Sequence, residues 1–271
     1  MKETFWKMHG AGNDFILFDD RSGRVPACNP PWLRAIAARR TGIGCEGIIL
    51  LQTTGDADFR MRFFNPDGRP AEMCGNGARC AARLAVDLGI ASASLTMATD
   101  AGRVHANVYD DTVELALPNP TGIEPYFDLV VDGHPIALGM ANTGVPHVML
   151  EVQELKEAPV ETVGASIRHH TRFSPAGTNV NFVRRVDESN LEIRTFERGV
   201  EAETGACGTG ATAAAVIMAL RGRAVPPVTV TTVSADQLRI TFEQQGNSIS
   251  RLTLDGPAVH VFKGSVDWPV T

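Results

Sequence analysis

The sequence predicts an α+β protein of two pseudo-symmetric domains, each a mostly antiparallel sheet or barrel around a central helix. Three observations predict it. The chain has 271 residues, enough for two domains. Strand-like runs with period-two or continuously apolar character greatly outnumber helical ones. One sequence of elements occurs twice: strand, strand, loop, cysteine, helix, then further strands.

The elements follow in order. Phe15–Phe18, Ile48–Leu51 and Phe59–Phe64 are rich in apolar residues suited to strands. Pro31–Arg39 reads as a helix with Asn29 as a cap and prolines at its start. From Cys74 to Leu88, Ala78, Ala81, Ala82, Ala85 and Leu88 recur at helical spacing, and Gly89 ends the run. Leu95–Thr99, Val104–Val108 and Val113–Leu117 follow, the last two joined as a hairpin across Asp110-Asp111. Pro118-Asn119-Pro120-Thr121-Gly122, with Pro125 close behind, is the best linker candidate.

Beyond the linker the pattern repeats. Leu129–Val131 and Pro135–Leu138 flank the turn signal Asp132-Gly133. Val148–Val152 is a strand, Val160–His169 a helix, and Asn179–Val186 and Leu191–Phe196 are strands. A helix runs from Cys207 to Leu220, and Val228–Val233, Leu238–Phe242, Ser248–Leu254 and Val259–Phe262 close the chain as strands. Domain boundaries are expected at 1–120 and 121–257, and the final strand, about 258–271, can return to the first domain.

The repeat is most visible at two cysteines. Cys74-Gly75-Asn76-Gly77-Ala78 and Cys207-Gly208-Thr209-Gly210-Ala211 each read as a loop ending in a thiol, followed by the first turn of an apolar helix. Their approaches match too: Arg62-Phe63-Phe64-Asn65 precedes one, Arg194-Thr195-Phe196-Glu197 the other. Gly12-Asn13-Asp14-Phe15 is aligned, on the same reasoning, with Thr178-Asn179-Val180-Asn181-Phe182. A thiol at a helix N-terminus has a lowered pKa, because unsatisfied N–H groups and the helix dipole favour the thiolate. The same N–H groups bind a carboxylate. Two such units facing one another across an amino acid would place a thiol on each side of its α-carbon, an arrangement for removing a proton from one face and returning one to the other. A cleft between the domains is the expected site.

Other chemistries fit less well. Net charge is −6, with no basic cluster that would engage nucleic acid. No apolar stretch is long enough to span a bilayer, and the charged start Met1-Lys2-Glu3-Thr4 lacks the apolar core of a signal peptide. Five unevenly spaced cysteines do not form a secreted disulfide framework, so a reducing cytoplasm is the expected setting. Cys28, Cys45 and Cys80 read as small apolar fillers, with Cys80 facing the core. No Cys-x-x-Cys pair exists and His169-His170 lacks a partner at metal spacing, so no metal is expected. The glycines match neither a P-loop nor a dinucleotide fingerprint.

With these residues in hand, nearly the whole chain resembles the diaminopimelate epimerase family, cofactor-independent enzymes of lysine and cell-wall precursor synthesis. The resemblance rests on His9-Gly10-Ala11-Gly12-Asn13-Asp14-Phe15, Phe64-Asn65-Pro66-Asp67-Gly68, Met73-Cys74-Gly75-Asn76-Gly77-Ala78-Arg79-Cys80, Asn179-Val180-Asn181-Phe182 and Glu197-Arg198-Gly199 leading to Glu203-Thr204-Gly205-Ala206-Cys207-Gly208-Thr209-Gly210. It implies interconversion of LL- and meso-diaminopimelate, with Cys74 and Cys207 as acid and base and no cofactor. It implies that the backbone at Gly75, Asn76, Gly208 and Thr209 holds the reacting carboxylate. Asn13, Asn65, Asn179, Glu197 and Arg198 are assigned by it to substrate, and His147 and Glu197 to tuning the thiols. A homodimer is implied as well.

Two positions depart from the family pattern. Val145, in Asn142-Thr143-Gly144-Val145-Pro146-His147, stands where many members carry a substrate-contacting asparagine. Gly47 stands where some carry glutamine. Both bear on the far end of the substrate. The alternatives are a proline- or histidine-type racemase with the same two-thiol machinery, and a non-catalytic thiol switch. Proline racemases carry histidine after the first Cys-Gly, where this chain has Asn76, and a thiol switch needs no matched second loop.

Overall fold

The structure, a computed structural model, describes residues 2–25 and 29–267. Cys28 and residues 268–271 lie outside the described residues. The chain divides into two compact units, Met1–Leu115 with Gly256–Thr271, and Ala116–Asp255.

The first unit opens with β1 (Lys2–Gly10) and β2 (Asn13–Asp19), an antiparallel hairpin. Ala11 and Gly12 form its turn, both at positive φ, as a tight two-residue hairpin of right-handed twist requires. Helix α1 (Pro30–Ala37) follows, capped by the Asn29 side chain, which accepts from Trp32 N–H. Then come β3 (Gly47–Gln52), β4 (Phe59–Phe64), the short β5 (Pro70–Ala71), helix α2 (Gly75–Asp87), β6 (Ser94–Thr99), β7 (Gly102–Val108) and β8 (Thr112–Ala116). Ile48, Ile49, Leu50 and Leu51 are all buried, which explains a continuous apolar run in a strand packed on both faces. Helix α2 touches β1, β2, β3, β4 and β7, so the sheet wraps it.

The second unit holds β9 (Thr121–Val131), β10 (His134–Asn142), β11 (Pro146–Glu151), α3 (Val160–Arg168), β12 (Asn179–Arg185), β13 (Asn190–Glu197), β14 (Ala202–Thr204), α4 (Gly208–Leu220), β15 (Val228–Thr231), β16 (Gln237–Gln245) and β17 (Ser248–Pro257), whose last two residues, Gly256 and Pro257, belong to the first unit. Helix α4 is buried on every side from Gly210 to Ala219 and touches seven strands, β9 to β13, β15 and β16. An all-round apolar helix belongs at the centre of a domain. The last strand, β18 (Val259–Asp267), pairs antiparallel with β1 and so closes the first unit.

The predicted linker is partly strand. Strand β9 begins at Thr121 and runs on past Pro125, with Thr121, Glu124 and Phe127 paired to β10. A proline is tolerated there because the β9–β10 register shifts between Leu138 and Met140, opposite it, leaving no ladder N–H for residue 125 to supply.

The duplication holds strand by strand. In the first unit β2 runs parallel to β3 across α1, β3 antiparallel to β4, and β4 parallel to β6 across α2. In the second, β11 runs parallel to β12 across α3, β12 antiparallel to β13, and β13 parallel to β15 across α4. Register then pairs positions between the halves. Phe15 opposes Gly47 as His147 opposes Asn179, and Ile48 opposes Phe64 as Val180 opposes Phe196. This corrects one sequence alignment. Asn179 corresponds to Gly47, not to Asn13, and Asn13 corresponds to Val145. Short motifs of Asn and Phe mislead because only the hydrogen-bond ladder fixes register.

Candidate active site

In each unit a candidate thiol stands at a helix N-terminus. Cys74 is the N-cap of α2 (φ −134°, ψ 121°) and Cys207 that of α4 (φ −128°, ψ 105°). The extended caps turn the chain into the helix so that each thiol leads the first turn. The first helical hydrogen bonds are Ala78 N–H to Cys74 O (2.8 Å) and Ala211 N–H to Cys207 O (2.9 Å). The amides of Gly75, Asn76 and Gly77, and of Gly208, Thr209 and Gly210, therefore have no intrahelical acceptor. Such helix starts are where the paired Gly-x-Gly runs lie.

In the first unit, Cys74 Sγ donates to Asn13 Oδ1 (3.6 Å), which also accepts from Asn76 Nδ2 (3.4 Å). Asn76 Oδ1 in turn accepts from Arg79 Nη2 (2.8 Å), a buried guanidinium whose Nε donates to Pro257 O (3.2 Å). Asn13 Nδ2 donates to Glu46, which also receives Arg39 (3.1 Å). Arg39 and Lys7 both bind Asp14. Burial pushes the Asp14 carboxyl up, but hydrogen bonds from Arg39 and Lys7 outweigh it and hold the group below its ordinary range. Asn13 is thus held by a charged lattice that the sequence reading did not identify. Asn65 follows the end of β4 in an exposed turn, its carbonyl accepting from Gly68 N–H (2.9 Å).

In the second unit, Cys207 Sγ lies 3.5 Å from Thr209 Oγ1, and Thr209 Oγ1 lies 2.9 Å from His147 Nε2. His147 is fully buried, and its pKa falls to about 3, through burial first, the field of Arg198 second. It is a neutral imidazole at physiological pH. Glu197 ends β13 and accepts from Thr204 Oγ1 (2.7 Å). Asn179 is anchored to its own chain by one hydrogen and one lone pair of its amide: Nδ2 donates to Pro146 O (3.1 Å) and Oδ1 accepts from Arg198 N–H (2.8 Å). That clamp sets where the Arg198 side chain departs, and its Nη1 donates to Ala176 O (3.2 Å).

The other described thiols are inert by environment. Burial pushes Cys45 up to about 11 and Cys80 up to about 12, so both are protonated at neutral pH. The Gly47 departure has a steric reason. A Cβ there would stand 2.4 Å from Phe63 and 3.1 Å from Phe15, leaving no room for glutamine while those rings hold their places.

The depressed pKa of His147 has a consequence for stability. The unfolded chain binds a proton at His147 near pH 6.5, whereas the folded chain resists it down to about pH 3. Stability from this group is therefore complete above about pH 6.5 and is lost as pH falls below it, at up to about 1.4 kcal/mol per pH unit. Unfolding titrations between pH 7 and 5 should show a steeper loss for the native chain than for His147→Gln. Equal slopes would show that His147 takes up its proton without unfolding.

Solved structures of similar fold cover nearly the whole chain. A PhzF-family phenazine biosynthesis protein from Bacillus anthracis superposes with TM-score 0.72 at 17% identity, covering 99% of this chain and 100% of that one. A probable proline racemase from Agrobacterium radiobacter, with carbonate bound, superposes with TM-score 0.71 at 17% identity, covering 98% and 93%. The chain therefore has the fold of the PhzF-family and proline racemase structures.

Sequence narrows this further. The family model for diaminopimelate epimerase matches residues 5–119 and 139–261. Diaminopimelate epimerase of Aquifex aeolicus is 40% identical over 96% of both chains, and that of Methanothrix thermoacetophila is 41% identical over 97% of this chain and 95% of its own. The chain belongs to the diaminopimelate epimerase family.

Proposed function

We propose that this chain interconverts LL- and meso-diaminopimelate by two-base proton transfer at one α-carbon, with Cys74 and Cys207 on opposite faces of that carbon. The observation that carries the reading is the repeated pair of thiols, each capping a helix whose first-turn amides have no intrahelical acceptor. One cysteine, as thiolate, takes the α-proton and becomes a thiol. The other, as thiol, gives its proton to the opposite face and becomes the thiolate. The electron pair of the breaking C–H bond passes into the carboxylate, which gains enediolate character. Helix-start amides at Gly75, Asn76, Gly208 and Thr209 then stabilise charge as it develops, an effect worth roughly 10²–10³ in rate per donor. General acid–base transfer adds roughly 10²–10⁴.

The half-sites are unlike in a way that suits the scheme. Cys74 faces an acceptor, Asn13 Oδ1, which favours its thiol, whereas Cys207 faces the Thr209 hydroxyl, which can donate to a thiolate. Asn65, Asn179, Glu197 and Arg198 bind the second amino-acid head, with the Arg198 fork on its carboxylate. At the two positions that lack an amide, Val145 and Gly47, Asn142 or Thr143 and the local backbone supply what polar contact is made. The physiological form is a cytoplasmic homodimer making a precursor of lysine and peptidoglycan. Among the described residues no helix is long and apolar enough to cross a membrane.

Deuterium oxide tests the scheme. Over many turnovers, product formed from LL-diaminopimelate carries deuterium at its α-carbon, and proline and histidine offered in parallel exchange none. Product that retains the substrate's own protium would overturn the two-base reading, and exchange into proline would reassign the substrate.

A further inference from the structure

The two halves differ most tellingly beneath their thiols. At equivalent positions the first unit has Phe15, Ile49 and Phe63, and the second has His147, Asn181 and Thr195. Ile49 and Phe15 pack under Gly77, where a Cβ would meet them at 2.9 Å and 3.5 Å, and Phe63 stacks edge-on against Phe15. The polar trio is fully or nearly fully buried, and its Asn181 lies under Gly210, where a Cβ would meet Asn181 Oδ1 at 2.4 Å and Cys207 Sγ at 3.4 Å. Three buried polar residues in place of three apolar ones carry a desolvation cost unless their hydrogen bonds are satisfied. They are satisfied, and in one direction only.

Thr195 Oγ1 donates to Asn181 Oδ1 (3.0 Å), and Asn181 Nδ2 donates to Val148 O (2.8 Å). A backbone carbonyl can only accept, so the amide cannot be flipped without setting two oxygens against each other. The second hydrogen of Asn181 Nδ2 faces His147 Nδ1 at 3.2 Å. That nitrogen is then an acceptor, and the proton of the neutral ring sits on Nε2. Nε2–H donates to Thr209 Oγ1 (2.9 Å), which leaves the Thr209 hydroxyl hydrogen for Cys207 Sγ at 3.5 Å.

We propose that Asn181 is a positioning residue for the epimerisation: by holding His147 in its Nε2–H tautomer it aims the Thr209 hydroxyl at Cys207 and stabilises the Cys207 thiolate. The proposal rests on Cys207 being an acid–base thiol. Arg198 is the other charged group whose field reaches the ring, and it opposes protonation of His147. In this relay Asn181 acts on Cys207 through two intermediaries, His147 and Thr209.

Nitrogen NMR of the histidines and thiol alkylation test it. In the native chain His147 is in the Nε2–H form throughout pH 5.5–8; an Nδ1–H form would overturn the proposal even if every variant failed to fold. Alkylation of Cys207 by iodoacetamide, followed by mass spectrometry at pH 7, should slow about tenfold in Asn181→Leu and in Thr209→Val, the size expected for losing one hydrogen bond to a charged group. The double variant should be no slower than Thr209→Val alone, because both changes break one relay. An unchanged rate in Asn181→Leu, or effects that multiply in the double variant, would overturn it. Turnover of Cys207→Ala answers the separate question of whether Cys207 is a catalytic thiol, so loss of that reading and loss of this one give different results.

Discussion

Cys74→Ala and Cys207→Ala should each lower turnover by about 10³-fold or more while the fold survives. The reason is that proton removal and proton return are one sequence of events. With either thiol gone, the carbanion-like state is formed without a base or stranded without an acid, and the remaining cysteine cannot serve both faces. The two losses should not multiply. A double Cys→Ala variant should be about as slow as the slower single one, since groups acting as a unit fail together. Folding should be little affected, because neither cysteine uses its side chain to cap its helix and alanine removes a single sulfur. Circular dichroism and thermal melts check that point alongside initial rates. A near-normal rate in either single variant would remove that thiol from the mechanism.

The second large effect is expected at Arg198. Arg198→Met should reduce kcat/KM by roughly 10²–10⁴, mostly through KM, because two hydrogen bonds between charged groups are lost at about 1.5–3 kcal/mol each. Arg198→Lys should recover only part of this, since an ammonium cannot reproduce the planar fork. The backbone that launches Arg198 stays in place in both variants, because Asn179 Oδ1 holds residue 198 by its N–H. The defect is therefore one of binding, read as a rise in KM for diaminopimelate with kcat much less affected. A fall confined to kcat would instead mean that Arg198 acts on the reacting carbon, and its substrate-binding role would have to be abandoned.

Helix α4 was readable because a helix buried on all sides must be apolar nearly all round, and 211–220, with Thr212 its one polar residue, is. Cys80 was readable as a core residue because it lies six positions after Cys74, nearly two helical turns along, and it is fully buried. The thiol-Gly-x-Gly repeats were readable because glycine and a cap position leave a local signature. The lattice around Asn13 was not, because Lys7, Asp14, Arg39 and Glu46 converge only when α1 and the start of β3 are packed against the first hairpin. Nor was Asn181. Its neighbours Asn179 and Phe182 drew it into a motif, and its own signal, a polar residue where the other half has Ile49, becomes visible only after register is known.

The sequence by itself determined the duplicated α+β architecture, the two helix-capping thiols and the family, because periodicity, glycine placement and local motifs are properties of neighbouring residues. The tertiary structure alone decided which positions of the two halves are equivalent and what surrounds each thiol. Those depend on strand register and on which side chains meet across tens or hundreds of residues. That is why Asn179 moved from the counterpart of Asn13 to that of Gly47. It is also why Cys74 is found against an amide oxygen and Cys207 at the end of a buried Thr–His–Asn relay.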